Sequence, residues 1–235
     1  MNLHEDGKSY HDKSCTMFML PDLIVPPLVQ WAGGIDADNI YDNDSGEYGI
    51  EKEPHVTILY GINNDDPMPV RHALVGWNKP VEMEFGPLDI FSLKDKPYDV
   101  LKVPVISPAL IELHNLIKKS TDNTASFPDY HPHMTIAYLQ KGVSKKYVGH
   151  EPLKGVKLVF DKLLFRTRQK DSIVIPLYMK SFKQFMEEDA AMGGGSGTGV
   201  VAANVTGDSP TMSMPPDLSR KKLLKRQANN PELSN

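Results

Sequence analysis

Two short segments of the chain repeat each other. Residues 54–60 read Pro-His-Val-Thr-Ile-Leu-Tyr and residues 132–138 read Pro-His-Met-Thr-Ile-Ala-Tyr, with five of seven positions identical. Each copy carries a histidine two residues before a threonine: His55 with Thr57, and His133 with Thr135. Free imidazole titrates near pH 6.5, so one histidine is able to take a proton while the other gives one. The threonine hydroxyls are donors suited to the non-bridging oxygens of a phosphate as negative charge builds on them. Two imidazoles and two hydroxyls therefore suit cleavage of a phosphodiester, with no metal needed to handle protons or charge. A single His-x-Thr carries almost no information. Two copies in matching heptapeptides point to one shared cleft, in preference to a purely structural repeat. A metal site built from His55, His131 and His133 is the weakest alternative, because no recognised ligand spacing accompanies them.

The elements that must position these residues are strands. Val56, Thr57, Ile58 and Tyr60 favour β structure, as do Thr135, Ile136 and Tyr138. Side chains alternate along a strand. Strict alternation places His55, Thr57 and Leu59 on one face, and Val56, Ile58 and Tyr60 on the other. The second copy divides in the same way: His133, Thr135 and Ala137 against Met134, Ile136 and Tyr138. Further strands are expected over residues 15–20, 85–93, 98–105, 156–165 and 173–178. Ser107-Pro108 reads as a helix start, serine as cap and proline in the first turn. A second helical stripe runs through Val70, Ala73, Leu74 and Trp77, which puts Trp77 in the core. Short strands and helices in small groups, with prolines between, predict an α+β fold with antiparallel sheets.

On the two motifs His55-Val-Thr57 and His133-Met-Thr135, residues 10–185 resemble the 2H phosphoesterase superfamily. The resemblance implies a bilobal fold: two pseudo-symmetric antiparallel sheets with flanking helices around a central cleft, one motif on each. It implies metal-independent cleavage of cyclic or strained ribose phosphodiesters, with His55, Thr57, His133 and Thr135 catalytic and no cofactor. Residues 133–147 look most like the phage branch, which includes the anti-CBASS phosphodiesterases. That implies hydrolysis of 3′–5′ bonds in cyclic di- or trinucleotide signals, in the host bacterial cytosol. Two alternatives stand beside it. One is an enzyme of RNA ends, acting on a 2′,3′-cyclic phosphate or a 2′–5′ linkage. The other is a non-enzymatic, phage-associated binding protein.

The chain has 235 residues, a formal net charge of -4 and one cysteine. That charge disfavours a protein that grips long nucleic acid by its phosphates. It leaves room for a small phosphorylated ligand. A lone cysteine excludes an internal disulfide and fits a reducing, cytoplasmic setting. No apolar run of membrane-spanning length is present, and no membrane partner is expected. Residues 1–190 are expected to fold as the catalytic domain. Residues 191–235 hold no aromatic residue and open on a Gly-rich run, so a flexible tail is expected. Its basic segment, residues 220–226, is a candidate for weak docking to a partner. Near the second motif, Tyr130 is a candidate for stacking a base, and Lys141 for attracting an anionic substrate, with Lys145 and Lys146 beside it. His114 and Cys15 are expected to be buried structural groups.

Overall fold

The computed structural model describes residues 13–42, 48–125 and 129–177. The domain boundary expected at residue 190, the tail over 191–235 and its basic segment lie outside the described residues.

Among the described residues, nine strands and three α-helices form an α+β fold in which every strand pairing is antiparallel. One half of the sheet runs β2 (His55–Ile62), β1 (Ser14–Met19), β8 (Lys162–Arg166), β9 (Ser172–Pro176). The other runs β6 (His133–Gln140), β5 (Tyr98–Ile106), β3 (Val81–Phe85), β7 (Lys157–Phe160), with β4 (Asp89–Phe91) added beside β5. Each half ends inward on a motif strand. The halves join where β2 meets β6, at the single register pair Val56–Met134. The sheet must also curl. β7 and β8 stand at distant places along the strand order, yet only Asp161 separates them in sequence. The rings of Phe18 on β1 and Phe160 on β7 accordingly meet at 4.8 Å between centroids.

The core lies on one side of this sheet. Val56, Ile58, Met134, Ile136, Leu101 and Phe18 are buried there with the apolar faces of the helices. Helix α3 (Pro108–Ser120) starts as its sequence predicts. The Ser107 hydroxyl accepts from the Leu110 amide at 3.2 Å, and Leu110, Leu113, His114 and Ile117 face inward. Helix α1 (Val25–Ala32) carries prolines in its first turn, where the missing amides cost nothing.

Three expectations need correction. The strand read over residues 156–165 is two strands, because the chain passes from one half-sheet to the other at Asp161. Residues 85–93 span the end of β3, a turn and β4. Helix α2 (Met68–Ala73) stops before Trp77, since Gly76 takes a positive φ of 90°. Trp77 thus lies half-buried at the rim of the core, its indole N–H donating to the Lys79 carbonyl at 2.6 Å. Among the described residues, no helix is long and apolar enough to cross a membrane.

Candidate active site

The site forms on the side of the sheet opposite the core. Met134 and Val56 face each other across the β2–β6 junction, and both are fully buried. One residue either way along an antiparallel register, the side chains point to the other side. Thr57 then stands opposite His133, and His55 opposite Thr135. The four motif side chains make a square about a local twofold axis, with the histidines on one diagonal. Diagonal neighbours across antiparallel strands have a spacing of roughly 7–8 Å, which leaves room for one phosphate between them. All four residues are partly exposed.

The two copies match in detail. In both, the ring Nδ1 lies 2.8 Å from the carbonyl oxygen two residues back: Glu53 for His55, His131 for His133. A carbonyl only accepts, so Nδ1 carries the proton in the neutral ring and Nε2 is left for the substrate. The proline before each histidine holds the residue ahead of it extended, which aims that carbonyl. Burial pushes the His133 pKa down. The neighbouring charges of Lys102, His55 and His131 lower it further, against the bond to the His131 carbonyl, which raises it. His133 is therefore held toward its neutral form. The Phe91 ring meets it edge to face at 4.9 Å.

Strict alternation fails at the same place in both strands. Thr16 and Met17 on β1 pair with Leu59 and Thr57, so Ile58 is an extra residue. Leu101 and Lys102 on β5 pair with Ala137 and Thr135, so Ile136 is extra. Each is a β-bulge directly after the motif threonine. Such bulges bend a strand and re-aim its side chains. Ile58 and Leu59 both enter the core, as do Ile136 and Ala137. Tyr60 and Tyr138, which strict alternation puts on the face opposite the histidines, are instead partly exposed on the side that bears them. Leu59 and Ala137 make the opposite exchange.

The bulge in β2 leaves carbonyls that β6 does not reach. Tyr130 donates its hydroxyl to the Thr57 carbonyl at 2.7 Å, and His114 Nδ1 lies 2.6 Å from the Ile58 carbonyl. Their rings stack at 4.0 Å. Tyr130, a candidate for stacking a base, braces the motif strand here and has its ring stacked on His114. His114 is buried and structural, as read from the sequence. Lys141 is also otherwise engaged: its ammonium binds the Leu93 carbonyl and pairs with Asp99 at 3.2 Å. Lys141, a candidate for attracting an anionic substrate, thus ties the loop after β6 to β5. Lys145 and Lys146 stay exposed on the short helix beyond it. Cys15 is buried, and burial pushes its thiol up to about 11, as befits an inert group.

Sequence reasoning missed two cations. Lys102 is the register partner of Thr135 and so shares its side of the sheet. Its buried ammonium binds Asp89 at 2.7 Å and sits 4.3 Å above the Phe91 ring. Arg166, the register partner of Cys15, reaches Glu53 with both terminal nitrogens, at 3.1 and 3.2 Å. Neither stands in a pattern that the sequence repeats, so only the strand register reveals them.

The model of the 2'-5' RNA ligase superfamily matches residues 51–148, which contain both motifs. Solved structures that match the chain include Usb1 of Kluyveromyces marxianus, at 13% identity and a TM-score of 0.47, covering 70% of this chain and 98% of that one. E. coli LigT complexed with 3'-AMP matches at 12% identity and a TM-score of 0.48, covering 70% and 94%. TT0787 of Thermus thermophilus matches at 13% and 0.46, covering 70% and 94%. No curated protein matches the chain.

Proposed function

We propose that this chain, whose residues 51–148 match the model of the 2'-5' RNA ligase superfamily, is a 2H phosphoesterase and a metal-independent phosphodiesterase for 3′–5′ ribonucleotide bonds. The observation that carries the reading is the square of His55, Thr57, His133 and Thr135, with both imidazoles held in one tautomer by matching carbonyls.

His133, kept neutral by its surroundings, takes the proton from the ribose 2′-hydroxyl. The 2′-oxygen bonds to phosphorus as the bond from phosphorus to the 5′-oxygen breaks. His55, on the other diagonal corner, gives its proton to that leaving oxygen. Thr57 and Thr135 donate to the two non-bridging oxygens. The first product is a 2′,3′-cyclic phosphate and a free 5′-hydroxyl, and water opens the cyclic phosphate with the two histidines exchanging roles. The assignment of His133 as base follows from the burial and neighbouring cations that hold its imidazole toward the neutral form.

The finer proposal is a small cyclic oligonucleotide as substrate, in the setting of a phage acting on immune signals in its host's cytosol. Support comes from the motif stretch 133–147 and from charge. Net charge is -4, and the two site cations Lys102 and Arg166 are already paired with Asp89 and Glu53. A long polyanion finds no ready track of cations in such a site.

The test is incubation with a cyclic diribonucleotide and with its 2′-deoxy counterpart, both in EDTA. The ribo ring should open and the deoxy ring should persist. Equal rates would point to direct attack by water, and loss of activity restored by a divalent ion would overturn the metal-free chemistry.

A further inference from the structure

Four tyrosines gather beside the motif of β6. Ring centroids of Tyr41 and Tyr48 lie 5.2 Å apart, Tyr41 and Tyr98 5.1 Å, Tyr48 and Tyr98 5.0 Å, Tyr48 and Tyr138 5.1 Å, and Tyr98 and Tyr138 5.3 Å. The cluster is anchored to the motif strand through the backbone. The Tyr41 amide donates to the Tyr138 carbonyl at 2.9 Å, and the Tyr138 amide donates to the Gly49 carbonyl at 2.8 Å. Isolated bridges join Ile40 to Leu139 and Ile50 to Ala137.

Three features set this cluster apart from a small satellite core. It lies on the side of the sheet away from the core, because the bulge at Ile136 turns Tyr138 to the side of His133 and Thr135. All four rings remain partly exposed. The next residue on that side of β6 after Thr135 is Tyr138, about two strand steps or roughly 7 Å along. That separation matches the reach from a nucleotide's phosphate to its base. On the other half of the sheet, Tyr60 of β2 stands at the equivalent place. Tyr60 there has Cys15 as its register partner, with Arg166 beyond it.

We propose that Tyr41, Tyr48, Tyr98 and Tyr138 form a stacking platform for a nucleobase whose phosphate sits between the two motifs. The inference rests on the phosphodiesterase reading for the identity of the ligand. Stacking on aromatic rings tolerates every base, since each presents a π face. The platform therefore selects nucleotides over other phosphodiesters and discriminates weakly between bases.

Binding, kept separate from turnover, tests it. The probe is 2′-deoxy cyclic diadenylate, titrated calorimetrically into the full chain. Tyr98→Leu and Tyr138→Leu should each weaken binding by about ten- to a hundredfold, in line with the ~1–3 kcal/mol of one base stack. Tyr98→Phe and Tyr138→Phe, which keep the ring, should stay within about threefold of wild type. Circular dichroism and thermal unfolding identify any variant that fails to fold, and the phenylalanine pair keeps the test decisive in that event. Absence of binding by wild type, folded leucine variants within twofold of wild type, or an equal loss in the phenylalanine variants would each overturn the platform. Ring-dependent binding without turnover of the ribonucleotide ring would instead overturn the catalytic reading and leave the platform standing.

Discussion

His55 and His133 share their local chemistry but differ in surroundings, and the difference is open to measurement. His133 has the Phe91 edge, the Lys102 ammonium and His55 around it, and its pKa lies below the ordinary imidazole value. A base with a lowered pKa stays in its working, neutral form to lower pH. The acid limb of the rate profile should therefore fall below pH 6.5, the usual imidazole midpoint. The reverse assignment would have His133 lose its working, protonated form below that midpoint. A substrate with an activated leaving group separates the roles. Uridine 3′-(4-nitrophenyl) phosphate needs little help from a general acid. On it, His55→Ala should recover most of its lost rate, while His133→Ala should stay slow by about a hundredfold or more. The opposite pattern would exchange the two assignments. At this scale the sequence was highly informative, because the motif repeats. It was silent on Lys102, which enters the site only through its register with Thr135.

Strands and the joints between them govern where those residues point. The alternation read from the sequence held from His55 to Ile58 and from His133 to Ile136, then reversed in both copies. A bulge is a property of a strand pair: whether Ile58 finds a partner depends on β1, and whether Ile136 does depends on β5. Neither motif contains the glycine or proline that marks an irregular strand in a sequence. The partners of Tyr130 and Lys141 were hidden from the sequence for a related reason. Each lies near the second motif in sequence, but its partners, the Thr57 carbonyl and Asp99, are distant in the chain. The Asp99 side chain is buried, and burial alone would raise its pKa. Donors from Ser92, Gly142, Ser144 and Lys141 outweigh that and hold it at about 2. A depressed carboxylate stabilises the fold above its unfolded value, near pH 4, and that contribution is lost as pH falls toward 2. Asp99→Ala should lower stability by about 2–3 kcal/mol at neutral pH, because it strands the Ser144 hydroxyl and the Gly142 amide. Its deficit relative to wild type, followed by thermal unfolding, should shrink between pH 4 and pH 2. A deficit that does not change over that range would remove the carboxylate's charge from the account.

Across the whole molecule, the fold brings two similar half-sheets together along their motif strands, so that neither half holds a complete site. The antiparallel α+β class, the helix start at Ser107 and most strands were legible from composition and capping. The curl of the sheet was not, since it depends on β7 and β8 leaving one residue, Asp161, in opposite half-sheets. The central claim is that one histidine from each half serves a single reaction. Turnover of a cyclic diribonucleotide in EDTA by wild type, His55→Ala, His133→Ala and the double variant tests it most directly. Each single change should lower the rate by about 10²- to 10⁴-fold with the fold intact, and the double variant should be scarcely slower than the slower single one. A folded wild type with no turnover, or either single variant within twofold of it, would contradict the shared site.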